Sequence, residues 1–117
     1  MTNSITEGRH GESIAQKFLE QQGFSLLTQN YYARYGEIDL IMSDEKILIF
    51  VEVRVRNNPY YGSAIESITD AKMEKFRQTV ELYLQEHPTD LPVRIDVIGI
   101  QDSHIPNPEI EWVQNAF

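Results

Sequence analysis

The chain has 117 residues, of which 41% are hydrophobic and 24% charged, and its formal net charge is −8. This length and composition suit one globular domain, which we place over residues 1–117. The absence of cysteine excludes disulfides, thiolate metal sites and cysteine nucleophiles. No apolar run approaches the ~20 residues that span a bilayer, and the N-terminal stretch is polar, so we expect a cytoplasmic protein with no membrane partner.

The negative charge is concentrated toward the C-terminus. Residues 81–117 carry seven acidic residues against Arg94 alone, a net of −6, whereas residues 54–77 carry five basic residues against three acidic ones, a net of +2. The total charge argues against a general affinity for nucleic acid or anionic lipid, but the middle of the chain could face a polyanion. Charge alone favours the alternative that these basic residues form a solvated helix face, because nucleic-acid binders usually have a stronger basic excess.

The first half of the chain is predicted to contain one helix and three strands. Apolar residues at helical spacing indicate a helix over residues 6–22, closed by Gly23 as a left-handed cap. A short strand over 24–28 is followed by a polar and aromatic loop over 29–36. Strands over 37–42 and 46–56, joined by a turn, indicate a hairpin.

The second half is predicted to contain one helix and two strands. Pro59 and Gly62 mark a loop, and Thr69 is a plausible N-cap for a helix that ends at Glu86, before Pro88. A strand follows over 93–100, and a short last strand over 110–113. The order αβββαβ with a final short strand predicts an α/β fold in which the helices cover a sheet and bury their apolar stripes there.

The strand predicted over residues 46–56 has two different faces. Side chains alternate along a strand, so the odd-numbered residues from Ile47 to Val55 form a wholly apolar face. The opposite face begins with Leu48 and Phe50 and ends with three charged residues: Glu52, Arg54 and Arg56. A face that changes in this way is typical of a strand that runs from beneath a helix into a cleft.

Two further carboxylates stand at unusual positions. Asp39 lies among aliphatic residues of the second strand, where hairpin pairing could bring it near Glu52, and Glu12 lies on the apolar side of the first helix. Gly8 and Gly11 near that side would let the helix approach the sheet closely. Three carboxylates in one cleft would repel one another, and a hard cation such as Mg²⁺ or Mn²⁺ would relieve that repulsion.

The pattern alone leaves an ordinary alternative open for these residues. Glu52 would pair with Arg54 or Arg56, Asp39 would pair with Arg34, and Glu12 would cap a neighbouring backbone. Asp96, inside an apolar strand, is expected to be structural, with its partner unassigned. The tyrosines of the two predicted loops would anchor those loops or, less often, stack on unpaired bases; they are Tyr31, Tyr32, Tyr35, Tyr60 and Tyr61.

Two segments carry a resemblance to a known family. Gly-Glu-Ile-Asp-Leu-Ile at 36–41 and Phe-Val-Glu-Val-Arg-Val-Arg at 50–56, with Gly11-Glu12 before them and Ile-Glu-Trp-Val at 110–113 after them, resemble the signature of the YraN family. This family of small bacterial proteins is assigned to the restriction-endonuclease-like, Holliday-junction-resolvase-like nucleases. The resemblance implies an αβββαβ core with a mixed central sheet and a site of the PD-(D/E)xK type.

The resemblance also implies roles for individual residues. Asp39, Glu52 and Arg54 would be the catalytic residues. Asp39 and Glu52 would hold Mg²⁺ or Mn²⁺, with Glu12, which matches the extra helical glutamate of the resolvase-like branch, as a further metal ligand. Arg54 stands where the superfamily pattern has lysine, and Ile38 stands in place of its proline. Arginine keeps its charge, so Arg54 could clamp a phosphate but could not act as a general base.

These expectations amount to a metal-dependent, nuclease-like protein that binds DNA, branched or single-stranded, through Arg54, Arg56 and Lys72. Hydrolysis of a phosphodiester bond would be its reaction if it turns over. One alternative is a nucleic-acid-binding module without catalysis. Another is a protein-interaction subunit that uses the acidic C-terminal third. The sequence leaves the oligomeric state open, a homodimer included.

Overall fold

The computed structural model describes residues 4–57 and 62–116, with side chains described from Arg9 onward. The elements in chain order are α1 (Ser4–Gln21), β1 (Ser25–Ala33), β2 (Gly36–Ser43), β3 (Leu48–Arg56), a 3-10 turn (Ile65–Ser67), α2 (Asp70–Glu86), β4 (Val93–Gln101) and β5 (Glu109–Val113). The predicted α/β order, αβββαβ followed by a short strand, is confirmed.

The five strands form one mixed sheet in the order β1-β2-β3-β4-β5. β3 and β4 are parallel, and the other neighbouring pairs are antiparallel. A parallel pair requires a crossover, which the segment containing α2 provides. α2 begins where predicted, because the Thr69 side chain accepts a hydrogen bond from the Lys72 backbone N–H at 3.2 Å.

Two hydrophobic clusters cover the two faces of the sheet. The cluster under α1 contains Ile49 and Val51 of β3, and the cluster under α2 contains Leu48 and Phe50. The two-faced character predicted for β3 is therefore confirmed, with one helix over each face. At Gly11, a side-chain carbon would overlap Cγ2 of Val55, so glycine allows α1 to lie this close to the sheet.

The structure corrects the predicted strand boundaries. β1 continues through residues 29–33, which we expected to be a loop, because it pairs with β2 as far as Ala33↔Gly36. The loop between them consists of Arg34 and Tyr35 alone, so Tyr31 and Tyr32 belong to a strand. Tyr60 and Tyr61, expected in the second aromatic loop, lie outside the described residues.

Asp96 of β4 ties the C-terminal strand to the sheet. Its fully buried carboxylate accepts two hydrogen bonds from Arg94 at 2.8 Å, one from the Trp112 indole N–H at 2.9 Å and one from the Asn115 backbone N–H at 2.9 Å. These donors are the partners of Asp96 that the sequence left unassigned. They explain how a charged residue lies within an apolar strand.

Within the described part of the chain, the helices are too short or too polar to cross a membrane.

Candidate functional site

The hairpin register places Asp39 beside Glu52. β2 and β3 pair from Ser43↔Leu48 to Leu40↔Val51, which leaves Asp39 and Glu52 as the next residues along the two strands. Ile38 and Ile41 both pack in the cluster under α2 although they are three residues apart, so the alternation of β2 is broken between them. The Asp39 carboxylate instead turns toward β3 and accepts a hydrogen bond from the Val53 N–H at 2.8 Å.

A cleft opens at this point between the sheet and the start of α2. Its volume is about 250 Å³. Acidic and basic side chains share its lining with one aromatic ring of the β1–β2 loop and the apolar side of α2. The lining residues are Tyr35, Gly36, Glu37, Asp39, Glu52, Arg54, Ile68, Lys72, Lys75 and Phe76.

The two neighbouring carboxylates hold protons more tightly than isolated ones would. Burial raises the pKa of Glu52, and the nearby Asp39 charge raises it further. Burial also raises the pKa of Asp39, against the lowering effect of the Val53 N–H. Contact between the two side chains raises the pKa of Glu52 and lowers that of Asp39, so Glu52 is the more readily protonated of the two.

Arg54 lies beside this carboxylate pair, and only some of its hydrogen-bond donors have partners. Its Nη2 lies 3.0 Å from Oε1 of Glu52, and the two side chains are 21% and 16% exposed. The ion pair expected under the ordinary alternative is therefore present. The Arg54 Nε, however, is buried and has no hydrogen-bond partner among the described residues. A buried donor without an acceptor is costly, so this atom is suited to an incoming oxygen ligand.

Glu12 lies in an adjacent cavity of about 390 Å³, lined by polar residues of α1 and β1. With its amide nitrogen facing the acids, Asn30 donates to Glu12 at 2.8 Å and to Glu37 at 3.0 Å. Burial, then the charges of Asp39 and Glu37, raise the pKa of Glu12 to about 7. The Asn30 amide is therefore its partner, in place of the backbone group expected under the ordinary alternative.

The three proposed metal ligands are not assembled into one chelating group. Among the described residues, no cluster of three or more histidine or acidic side chains is arranged to hold a metal ion. Asp39 and Glu52 lie together, while Glu12 lies in the next cavity, where the Asp39 charge helps to raise its pKa.

The residues that line this cleft lie within a segment of the chain that matches a family of similar proteins. Residues 11–100 match the model of Uncharacterised protein family UPF0102. The chain belongs to the UPF0102 family, also called the YraN family. It is 40% identical to a UPF0102 protein of Shewanella oneidensis, over 97% of this chain and 100% of the relative. It is 45% identical to a UPF0102 protein of Nitrosomonas eutropha, over 100% of this chain and 97% of the relative.

The UPF0102 match covers every residue of the cleft and ends before β5. Of the residues predicted to contact nucleic acid, Arg54 and Lys72 line the cleft. Arg56 does not, because its guanidinium donates to the neighbouring Val55 carbonyl at 3.0 Å. The nucleic-acid site predicted from Arg54, Arg56 and Lys72 is thus only partly brought together.

Sequence reasoning missed two charged residues of the cleft. Lys75 follows Lys72 by three residues, a spacing that puts both on one helix face and could have been recognised. Glu37 stands two residues before Asp39 in the same strand, which also suggests a shared side. Tyr35 was named with four other tyrosines as a loop anchor or a base-stacking residue, but nothing set it apart from them, because its place in the cleft depends on the exact length of the β1–β2 loop.

The ordinary pairing proposed for Asp39 is wrong. Arg34 donates to the Tyr35 hydroxyl at 2.9 Å, so it does not neutralise Asp39. Tyr31 does act as an anchor: its hydroxyl donates to Glu86 at 3.1 Å and its ring packs edge-on against Tyr83.

Proposed function

We propose that this UPF0102 protein binds DNA at the cleft and hydrolyses a phosphodiester bond with the help of Mg²⁺ or Mn²⁺. One observation carries the proposal: two half-buried, neighbouring carboxylates line the cleft beside an arginine whose buried Nε has no acceptor among the described residues. Carboxylates crowded in this way favour a divalent cation, and an unsatisfied guanidinium favours a phosphate oxygen.

The donor set fits Mg²⁺ or Mn²⁺. Such ions are commonly held by one or two carboxylates, with water and substrate phosphate completing the coordination. Asp39 and Glu52 would be the protein ligands. When bound, the ion would lower the pKa of an attacking water and offset charge on the phosphate.

The chain's own residues have separate tasks in this scheme. The Val53 N–H holds the Asp39 carboxylate in one orientation, so little side-chain freedom is lost when a ligand binds. Arg54 remains charged, and its partly exposed guanidinium lines the cleft, where it would stabilise developing negative charge on a phosphate. Lys72 and Lys75, on the first turns of α2, attract the neighbouring phosphates.

A DNA-binding module without catalysis is the second candidate, and the Glu52–Arg54 ion pair favours it. That contact at 3.0 Å already balances one carboxylate charge without a cation. Arginine also cannot lose a proton to activate water, as a lysine at this position could.

The deciding experiment is single-turnover cleavage of linear, single-stranded, flapped and four-way DNA with Mg²⁺ or Mn²⁺. We expect the wild type to cleave at least one of these substrates, Glu52→Gln to be inactive, and Arg54→Lys to cleave at a similar or lower rate. Glu109→Gln, on exposed β5, is the matched control and should keep the wild-type rate.

The outcomes separate the candidates. Inactive wild type that still binds DNA, with affinity reduced by Arg54→Ala and by salt, would favour the module. Cleavage that survives Glu52→Gln would contradict the site. Failure to bind any DNA at low ionic strength would contradict both candidates and favour the protein-interaction alternative.

A further inference from the structure

The loop between β1 and β2 places one aromatic ring at the cleft. Arg34 and Tyr35 are the only residues between the paired positions Ala33 and Gly36, so strand pairing holds them closely. Gly36 follows with φ +155°, a backbone conformation that other residues rarely adopt. Tyr35 is thus a firmly positioned part of the cleft lining rather than the tip of a long loop.

Tyr35 is exposed, and the Arg34 guanidinium lies over its ring. The ring is 40% exposed, an unusual state for a large aromatic residue that lines a cleft. The Arg34 guanidinium carbon lies 4.8 Å from the ring centroid, over the ring, and Arg34 also donates to the Tyr35 hydroxyl at 2.9 Å. These two contacts help to hold the ring in place, and its exposed surface is available for contact with another planar group.

The depth of the cleft limits what can reach the carboxylates. The Glu52 side chain is only 16% exposed, and Asp39 is hydrogen-bonded to the backbone between the strands. A phosphate has to enter the cleft to contact either residue. A rigid duplex presents its phosphates on a wide cylinder, whereas an unpaired strand can bend one nucleotide inward.

The charge around the cleft also favours a ligand that makes only a few phosphate contacts. Its lining contains three basic residues, Arg54, Lys72 and Lys75, and the whole chain has a net charge of −8. So few phosphate contacts give little affinity for a long duplex backbone. Base stacking adds affinity without further phosphate contacts, and it is available only when the base is unpaired.

We propose that the cleft takes an unpaired nucleotide, with its phosphate at Arg54 and the adjacent base stacked on Tyr35. This inference rests on the proposed function, since it names the substrate form for the same site. It makes Tyr35 the residue that distinguishes unpaired from paired nucleic acid.

The test compares binding of three short DNA probes in a buffer that contains a chelator, so that no cleavage occurs. The probes are a single strand, its duplex, and the same single strand with its central bases removed, which keeps the phosphates. We expect the wild type to bind the single strand roughly 5- to 150-fold more tightly than the abasic strand, the range for one stacked base.

The matched protein variants are Tyr35→Phe, which keeps a ring, and Tyr35→Leu, which keeps only an apolar side chain. Tyr35→Phe should retain the preference for the intact strand, and Tyr35→Leu should bind intact and abasic strands equally. Arg34→Lys keeps the charge but loses the planar stack, so a partial loss of the preference is expected. Thermal unfolding of each variant shows whether it is folded.

The inference and the proposed function fail in different ways. If Tyr35→Leu binds nucleic acid but keeps the wild-type preference, or if the duplex binds as tightly as the single strand, the inference is wrong and the DNA site stands. If the folded wild type binds none of the probes, the inference is wrong, and the cleavage experiment with Mg²⁺ or Mn²⁺ decides the proposed function separately.

Discussion

The Asp96 carboxylate offers the most direct test of how β5 is held. Changing Asp96 to asparagine keeps the size of the side chain but replaces one carboxylate oxygen with an NH₂ group. Oδ1 accepts from Arg94 and the Asn115 backbone, and Oδ2 accepts from Arg94 and Trp112. Whichever oxygen is replaced, two donors then face a third donor, and Arg94 loses its counter-charge.

The expected loss of stability follows from these contacts. Two charge-assisted hydrogen bonds contribute about 1.5–3 kcal/mol each, and removing one partner of a buried ion pair costs about 3–5 kcal/mol. Arg94 keeps 20% of its side chain exposed, so water partly compensates it and the lower end applies. We expect the free energy of unfolding to fall by about 3 kcal/mol and the melting temperature by about 12 °C for a chain of this size.

Urea unfolding followed by tryptophan fluorescence measures this loss, because Trp112 is the only tryptophan and bonds directly to Asp96. Asp102→Asn is the matched control. Asp102 is exposed and has φ +56°, a conformation that asparagine tolerates, so its change should stay within about 0.5 kcal/mol. A loss below about 1 kcal/mol for Asp96→Asn would refute the reasoning, because the carboxylate would then not be the group that holds β5.

The carboxylates of the cleft and its neighbouring cavity lead to two further predictions. In metal-free buffer, the raised pKa of Glu12 means that the folded state keeps a proton which the unfolded chain loses, so the free energy of unfolding should fall as the pH rises from about 4.5 to about 7. Glu12→Gln should remove roughly 1–2 kcal/mol of that fall, allowing for partial exposure, in urea titrations at pH 5 and pH 8; an unchanged difference would contradict the burial of its charge. Mn²⁺ at about 100 times its Kd should stabilise the wild type by about 2.7 kcal/mol, a rise in melting temperature of roughly 10 °C, and Asp39→Asn should abolish that rise. An equal rise in both proteins would place the ion elsewhere.

Elements with strong local signals were predicted well. The alternation along β3 showed which side chains would be buried on each face, since a strand with a fixed period of two leaves no other arrangement. Thr69 and Pro88 marked the ends of α2 because capping and the loss of an N–H act within one turn.

Elements that depend on a partner were predicted less well. Four of the last five residues of β1 are polar or aromatic and all five were assigned to a loop, yet they form a strand because β2 supplies their hydrogen bonds. The same pairing shortens the following loop to two residues. Nothing within residues 29–36 by themselves indicates this outcome, since it is decided by hydrogen bonds to another segment.

The candidate site also has features that follow from local sequence and features that depend on remote segments. The sequence determined that Asp39, Glu52 and Arg54 carry charge at the ends of apolar strands, because the residue types and the alternation are local properties. Only the tertiary structure decided that Asp39 turns toward Val53, that Glu12 lies in a separate cavity and that Tyr35 lines the cleft. These are distances between segments remote in sequence, and they are set by strand register and helix packing rather than by any local pattern.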